Sequence, residues 1–108
     1  TVGIHIVNKG RAEHEIMLGH DVMMKDNQPH GYAANLFENV PVDVFVYPSK
    51  KKVEIETAGQ LEEVELEPGA DIWLRVTFPE SLRGTTWDLG CFAPGHYEMG
   101  MKAQFIIE

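Results

Sequence analysis

Near its C-terminus the chain carries Cys91, His96 and Met101 in the run Cys91-Phe92-Ala93-Pro94-Gly95-His96-Tyr97-Glu98-Met99-Gly100-Met101. A thiolate, an imidazole and a thioether thus follow one another at intervals of five residues. Thiolate and thioether are soft donors and imidazole is a borderline one, so the set suits copper once a second histidine joins it. His14 is the candidate for that histidine. Zinc at His14, Cys91 and His96 is the chemical alternative, and a methionine in fourth place argues against it. Cys91 is the only cysteine, so it cannot be half of an internal disulfide; without a ligand role it would be a small buried apolar residue.

For these donors to meet, the elements carrying them must turn the right faces inward. Alternation of period two dominates the chain, and helical periodicity is scarce. Val2, Ile4 and Ile6 share one face of a strand over 1–7; His14, Ile16 and Leu18 share a face of another. Further strands are expected over 42–47, stopped by Pro48, over 53–57 and over 61–67. The turn Pro68-Gly69 leads into a strand over 71–78, where Ile72, Leu74, Val76 and Phe78 face one way and Trp73, Arg75 and Thr77 the other. In the strand over 86–91, Trp87, Leu89 and Cys91 lie on one side, and a strand over 101–107 closes the chain. Cys91 and His14 should therefore both point toward the apolar interior, close to strand ends. Pro94-Gly95 and Gly100 supply the stiffness and tight bends that return His96 and Met101 over the same point.

Residues 19–39 break the alternation and are expected to form one long loop with a short helix at 33–39. The whole of 1–108 reads as one domain, without repeat, linker or low-complexity tract. Short strands punctuated by Gly and Pro indicate an all-β fold, an antiparallel sandwich or barrel. A net charge of −8 argues against nucleic acid as partner, and no apolar stretch or leader sequence suggests a membrane span or a signal. An acidic surface is compatible with a basic protein partner or with simple solubility.

Two segments carry a resemblance. Asn8-Lys9-Gly10-Arg11-Ala12-Glu13-His14 and the Cys91 to Met101 run, continued by Lys102-Ala103-Gln104-Phe105-Ile106-Ile107, are similar to the two ligand segments of cupredoxins, the small blue-copper proteins of the plastocyanin, azurin and rusticyanin kind. The likeness covers most of the chain outside 19–39. It implies a Greek-key antiparallel β-sandwich with one type 1 copper held by His14 Nδ, Cys91 Sγ and His96 Nδ, and Met101 as weak axial ligand. It also implies about two strands ahead of the one leading to the first histidine, so a sandwich lacking its first one or two strands, or an omitted N-terminal segment, is expected. Two positions depart from the family pattern. Glu15 stands where Asn is common and Phe92 where Ser or Thr is common, so the side-chain tie between the ligand segments is not expected here.

On that resemblance the expected function is a one-electron carrier, not an enzyme, working in the periplasm or on the outer face of a membrane, with a tether in a missing segment. Its partner would be a cytochrome, oxidase or reductase, docking beside His96 on Phe92, Pro94 and Tyr97. The alternative is copper sequestration, delivery or resistance with a copper-handling partner. That reading draws on a weak second copper site in the loop with His20, Met23, Met24 and His30. Met17, His5 and Met99 are read as strand or surface residues, and Met101 is preferred to Met99 as axial donor on family spacing. No flanking His-Cys-His, second cysteine or oxyanion motif supports an enzyme.

Overall fold

The computed structural model describes residues 1–46 and 50–108, and no α-helix forms among them. The strands are β1 Val2–Val7, β2 His14–Lys25, β3 Gln28–Asn35, β4 Val42–Phe45, β5 Val53–Thr57, β6 Leu61–Leu66, β7 Asp71–Val76, β8 Thr86–Cys91 and β9 Lys102–Ile106, with a 3-10 turn at Glu80–Leu82. β4 ends at Phe45, so Val46 does not continue it as expected, and the expected Tyr47 and the stop at Pro48 lie outside the described residues. One sheet has the order β1-β7-β4, the other β5-β6-β2-β8-β9 with β3 added to β2, and every pairing is antiparallel. Only β2–β3, β5–β6 and β8–β9 pair as chain neighbours; the other ladders join distant strands. The all-β antiparallel fold read from the alternation is the architecture found, and of sandwich and barrel it is the sandwich.

Strand parity builds the core. On β7, Ile72, Leu74 and Val76 are at most 1% exposed, while the alternate Trp73 is 39% exposed. Ile4 and Ile6 of β1 and Val42 and Val44 of β4 pack on the same cluster, which Leu18, Val64 and Leu66 of the second sheet close from the other side. Leu36, Phe37 and Val40, in the turn after β3, plug one end of it. In the second sheet Ile16 lies opposite Cys91 and Leu18 opposite Leu89, so Cys91 belongs to the inward-facing row.

Residues 19–39 differ from the loop and short helix expected. They form the far half of β2, the strand β3 and a turn over 36–39. The connection Asp26-Asn27 has φ of 51° and 62°, the pair of left-handed residues that a two-residue I′ hairpin requires. Asx residues adopt this conformation most readily after glycine, which is why polar loop chemistry here makes a hairpin. Pro29 is tolerated because β3 pairs with β2 alone and is an edge. Asp21, at φ 64°, and a register shift between Met23 and Met24 bend the hairpin out of the plane of the sheet.

Replacing Leu74 with Ala should lower the unfolding free energy by about 2–5 kcal/mol through the cavity it leaves. Val2→Ala, at a position 47% exposed, should change it by less than about 0.5 kcal/mol. Urea denaturation of the two variants beside the parent measures both.

Candidate metal centre

His14 is delivered by a short clamp. Asn8, 4% exposed, donates from Nδ2 to the carbonyls of Ala12 and Leu66, both at 2.8 Å, and its Oδ1 accepts the Gly10 N–H at 2.9 Å. These bonds close the loop between β1 and β2 and satisfy a buried amide completely enough to keep it there. His14 then opens β2 opposite Leu66 of β6, with its ring turned inward beside the end of β8.

At that end three donor atoms converge. Cys91 Sγ lies 3.3 Å from His96 Nδ1 and 3.6 Å from His14 Nδ1, and the two imidazole nitrogens are 3.3 Å apart. Metal bonds of about 2.0–2.3 Å opening at roughly 110–120° leave donor atoms about 3.3–3.8 Å apart. The three separations fall in that interval, so the residues fit a shared metal ion. Both histidines present Nδ1 to the thiol. Burial, and then the neighbouring His96, hold the His14 imidazole below its ordinary pKa, which favours the neutral form with a free lone pair. Cys91 is 1% exposed, so the sulfur meets a ligand in a dry setting.

Main-chain bonds hold the loop over this point. Met101 N–H donates to His96 O and Met101 O accepts from Cys91 N–H, each at 3.1 Å, so residue 101 is tied to two of the donor residues. His96 N–H donates to Ala93 O at 2.9 Å and Gly100 N–H to Tyr97 O at 3.0 Å. Met99 is 88% exposed and its amide bonds back to Gly95 instead, which favours Met101 as the loop's thioether donor. The tie between ligand segments, not expected from the side chains of Glu15 and Phe92, is made by their backbones. Phe92 N–H donates to Glu15 O at 2.8 Å, and Glu15 N–H points at Cys91 Sγ at 3.4 Å. An N–H aimed at a thiolate stabilises its charge.

An aromatic cap covers the outside of the loop. Phe92 stacks on Tyr97, and Tyr32 from the bent hairpin meets Phe92 edge-on, each with centroids 5.0 Å apart. Tyr32 can lie across β2 and β8 because positions 19 and 90 are glycine; a Cβ at either would collide with it. Burial, with Tyr97 and Asp88 nearby, pushes its phenol well above the ordinary pKa. Phe92 is therefore buried packing for the loop, and of the expected docking residues only Pro94 is exposed. Sequence reasoning did not find Tyr32, whose sole signal was an aromatic in a segment read as loop.

The other soft and imidazole residues do not gather as expected. His20 stacks on Trp87, with centroids 4.5 Å apart, and bonds Asp21 at 3.0 Å. His30 and Met23 instead line a cavity together with Met17 and Tyr32, and that cavity does not include His20 or Met24. His5, as expected of a satisfied strand residue, bonds Asp71 at 2.7 Å and stacks on Trp73. Comparison with family models and with curated proteins finds no match to this chain.

The open face of β5-β6-β2 beside the centre carries paired carboxylates. Glu15 lies opposite Glu65, Glu65 opposite Glu54, and Glu63 opposite Glu56. Like charges directly across strands repel. Hydrogen bonds that Glu65 shares with Glu63 and Glu54 require a proton, and with partial burial they push its carboxyl up from 4.5 to about 8. A raised carboxyl pKa means that the folded state binds more protons than the unfolded one. Stability is thus fullest below about pH 4.5 for this group and is lost as pH rises toward about 8. Glu65→Gln should remove that loss, making the melting temperature of the variant higher than the parent's at pH 8–9 and flattening its slope between pH 5 and 8; thermal melts across this range check it.

Proposed function

We propose that this chain is a mononuclear type 1 copper protein of the cupredoxin kind that carries single electrons and is not an enzyme. The observation that carries the reading is the convergence of His14 Nδ1, His96 Nδ1 and Cys91 Sγ within 3.6 Å of one another beneath the loop that ends at Met101. His14, Cys91 and His96 would hold copper, with Met101 as the weaker fourth donor. Copper so bound supplies one-electron chemistry between Cu(II) and Cu(I).

The chain's own part is to keep the donors still. A set that neither oxidation state prefers strongly keeps rearrangement small only when the protein resists it, and here resistance comes from the β2–β8 ladder, the Phe92–Glu15 bond and the bonds of Met101. Cys91 and Phe92 exclude water from the sulfur side. His96, half-buried at the loop surface beside exposed Pro94, is the group through which an electron would pass to a redox protein partner. In keeping with the resemblance, the reading puts this work outside the cytoplasm.

One observation favours a second reading, copper sequestration or delivery. Met17, Met23 and His30 add thioethers and an imidazole to a cavity that Glu15 and Phe92 also line, each the chain neighbour of a donor residue.

Addition of Cu(II) to the protein should produce an intense visible thiolate-to-copper charge-transfer band, and Cys91→Ser should abolish it. A parent protein without the band would sink the type 1 assignment. Met101→Leu should keep the copper and shift its reduction potential, measured by redox titration; complete loss of copper would overturn the weak fourth-donor role.

A further inference from the structure

Residues of the β2–β3 hairpin and of the neighbouring strands line an open cavity of about 480 Å³. Met17 and Met23 of β2, His30 of β3 and Glu56, Glu63 and Glu65 of the neighbouring strands wall it. Gly31 gathers the soft donors. A Cβ there would lie 3.3 Å from the Met17 sulfur, Met23 is the cross-strand partner of the same glycine, and His30 precedes it. Met17, Met23 and His30 thus line one cavity beside a backbone position that carries no side chain.

Neither methionine belongs to the hydrophobic core cluster. Met23 is 46% exposed, Met17 is half-buried, and the wall facing them is made of carboxylates. Apolar packing does not explain thioethers against glutamates. Carboxylates alone would suit a hard cation, but thioether and imidazole donors select monovalent copper, and a negative wall raises the local concentration of any cation. Glu56, Glu63 and Glu65 present oxygens within 4.8 Å of one another. Glu63 is also close enough to His30 for their charges to interact.

We propose that Met17, Met23 and His30 form a second metal site, selective for Cu(I), with Glu56 and Glu63 supplying the negative field that draws the ion in. The site uses no donor of the Cys91 centre and does not depend on the assignment made there. Because Glu15 and Phe92, the chain neighbours of His14 and Cys91, also line this cavity, the second ion would sit close to the first centre. His20 and Met24 take no part.

The test is an anaerobic Cu(I) titration of Cys91→Ser protein against a chromophoric chelator, followed by NMR of the methionine methyl groups. One equivalent should remain bound, shifting the Met17 and Met23 methyls and leaving Met24 unmoved. Met17→Leu with Met23→Leu, a volume-conserving pair, should remove that equivalent, and His30→Asn should weaken it by about tenfold or more. A Cys91→Ser protein that binds no Cu(I), bound Cu(I) that leaves both methyls unmoved, or unchanged binding in the folded double-leucine variant would each overturn the site. The methyl shifts are read without any substitution in the cavity, so a folding defect in the leucine variant does not remove the test. Failure of the visible Cu(II) band in the parent rejects the type 1 reading alone.

Discussion

Antiparallel pairing of β2 with β8 sets Ile16 opposite Cys91, and the 2.8 Å bond from the Phe92 N–H to the Glu15 carbonyl extends that contact one residue beyond the strand. A shift of this ladder by one residue would turn Cys91 and His14 to opposite faces of the sheet. The register is held by burial on one side, where Leu18 and Leu89 enter the core opposite each other, and by close packing on the other, where Tyr32 lies across Gly19 and Gly90. Everything that makes three donor atoms meet follows from this pairing.

The second half of the arrangement is the loop from Phe92 to Met101. Hydrogen bonds within its own backbone shape it, and it is attached at both ends by the bonds between Cys91, His96 and Met101. Its aromatic side chains cover rather than coordinate: Phe92 and Tyr97 stack, and Lys102 sits 5.2 Å from the Tyr97 ring centroid. The hairpin bent at Asp21 completes the cover from a distant part of the sequence. One hairpin thus serves two purposes, capping the thiol side of the centre with Tyr32 and shaping a separate cavity with Met17, Met23 and His30. The paired glutamates of β5, β6 and β2 border the cavity, and the proton that Glu65 holds between Glu63 and Glu54 relieves part of their like-charge repulsion.

Much of the fold was legible because period-two alternation is a local property. β5 over 53–57 and β8 over 86–91 have the limits read from the sequence, and the inward faces of β7 and β8 are the expected ones. The hairpin of 19–39 was not legible, because its I′ turn is built from Asp26-Asn27 rather than a glycine pair and its alternation is broken by the bend at Asp21. The grouping of His20 with His30 failed for the same reason: proximity in sequence across a bend says nothing about which side of the sheet each residue reaches. The role of Phe92 was half legible. Its aromatic character was plain, but whether it faced a partner or its own loop depended on Tyr32.

By itself the sequence pointed to the candidate donors and determined the sheet parity. Residue types and spacing single out Cys91, His96 and Met101 as candidate donors, the family resemblance adds His14, and alternation alone turns His14 and Cys91 inward. Only the tertiary structure decided that the His14 and His96 Nδ1 atoms meet the thiol at 3.3–3.6 Å, that backbone bonds replace the missing side-chain tie, and that Met17 and Met23 share a cavity with His30. The physical reason is that these contacts are made across strands far apart in the chain. Their geometry depends on register, bend and close approach at glycine, none of which a local pattern encodes.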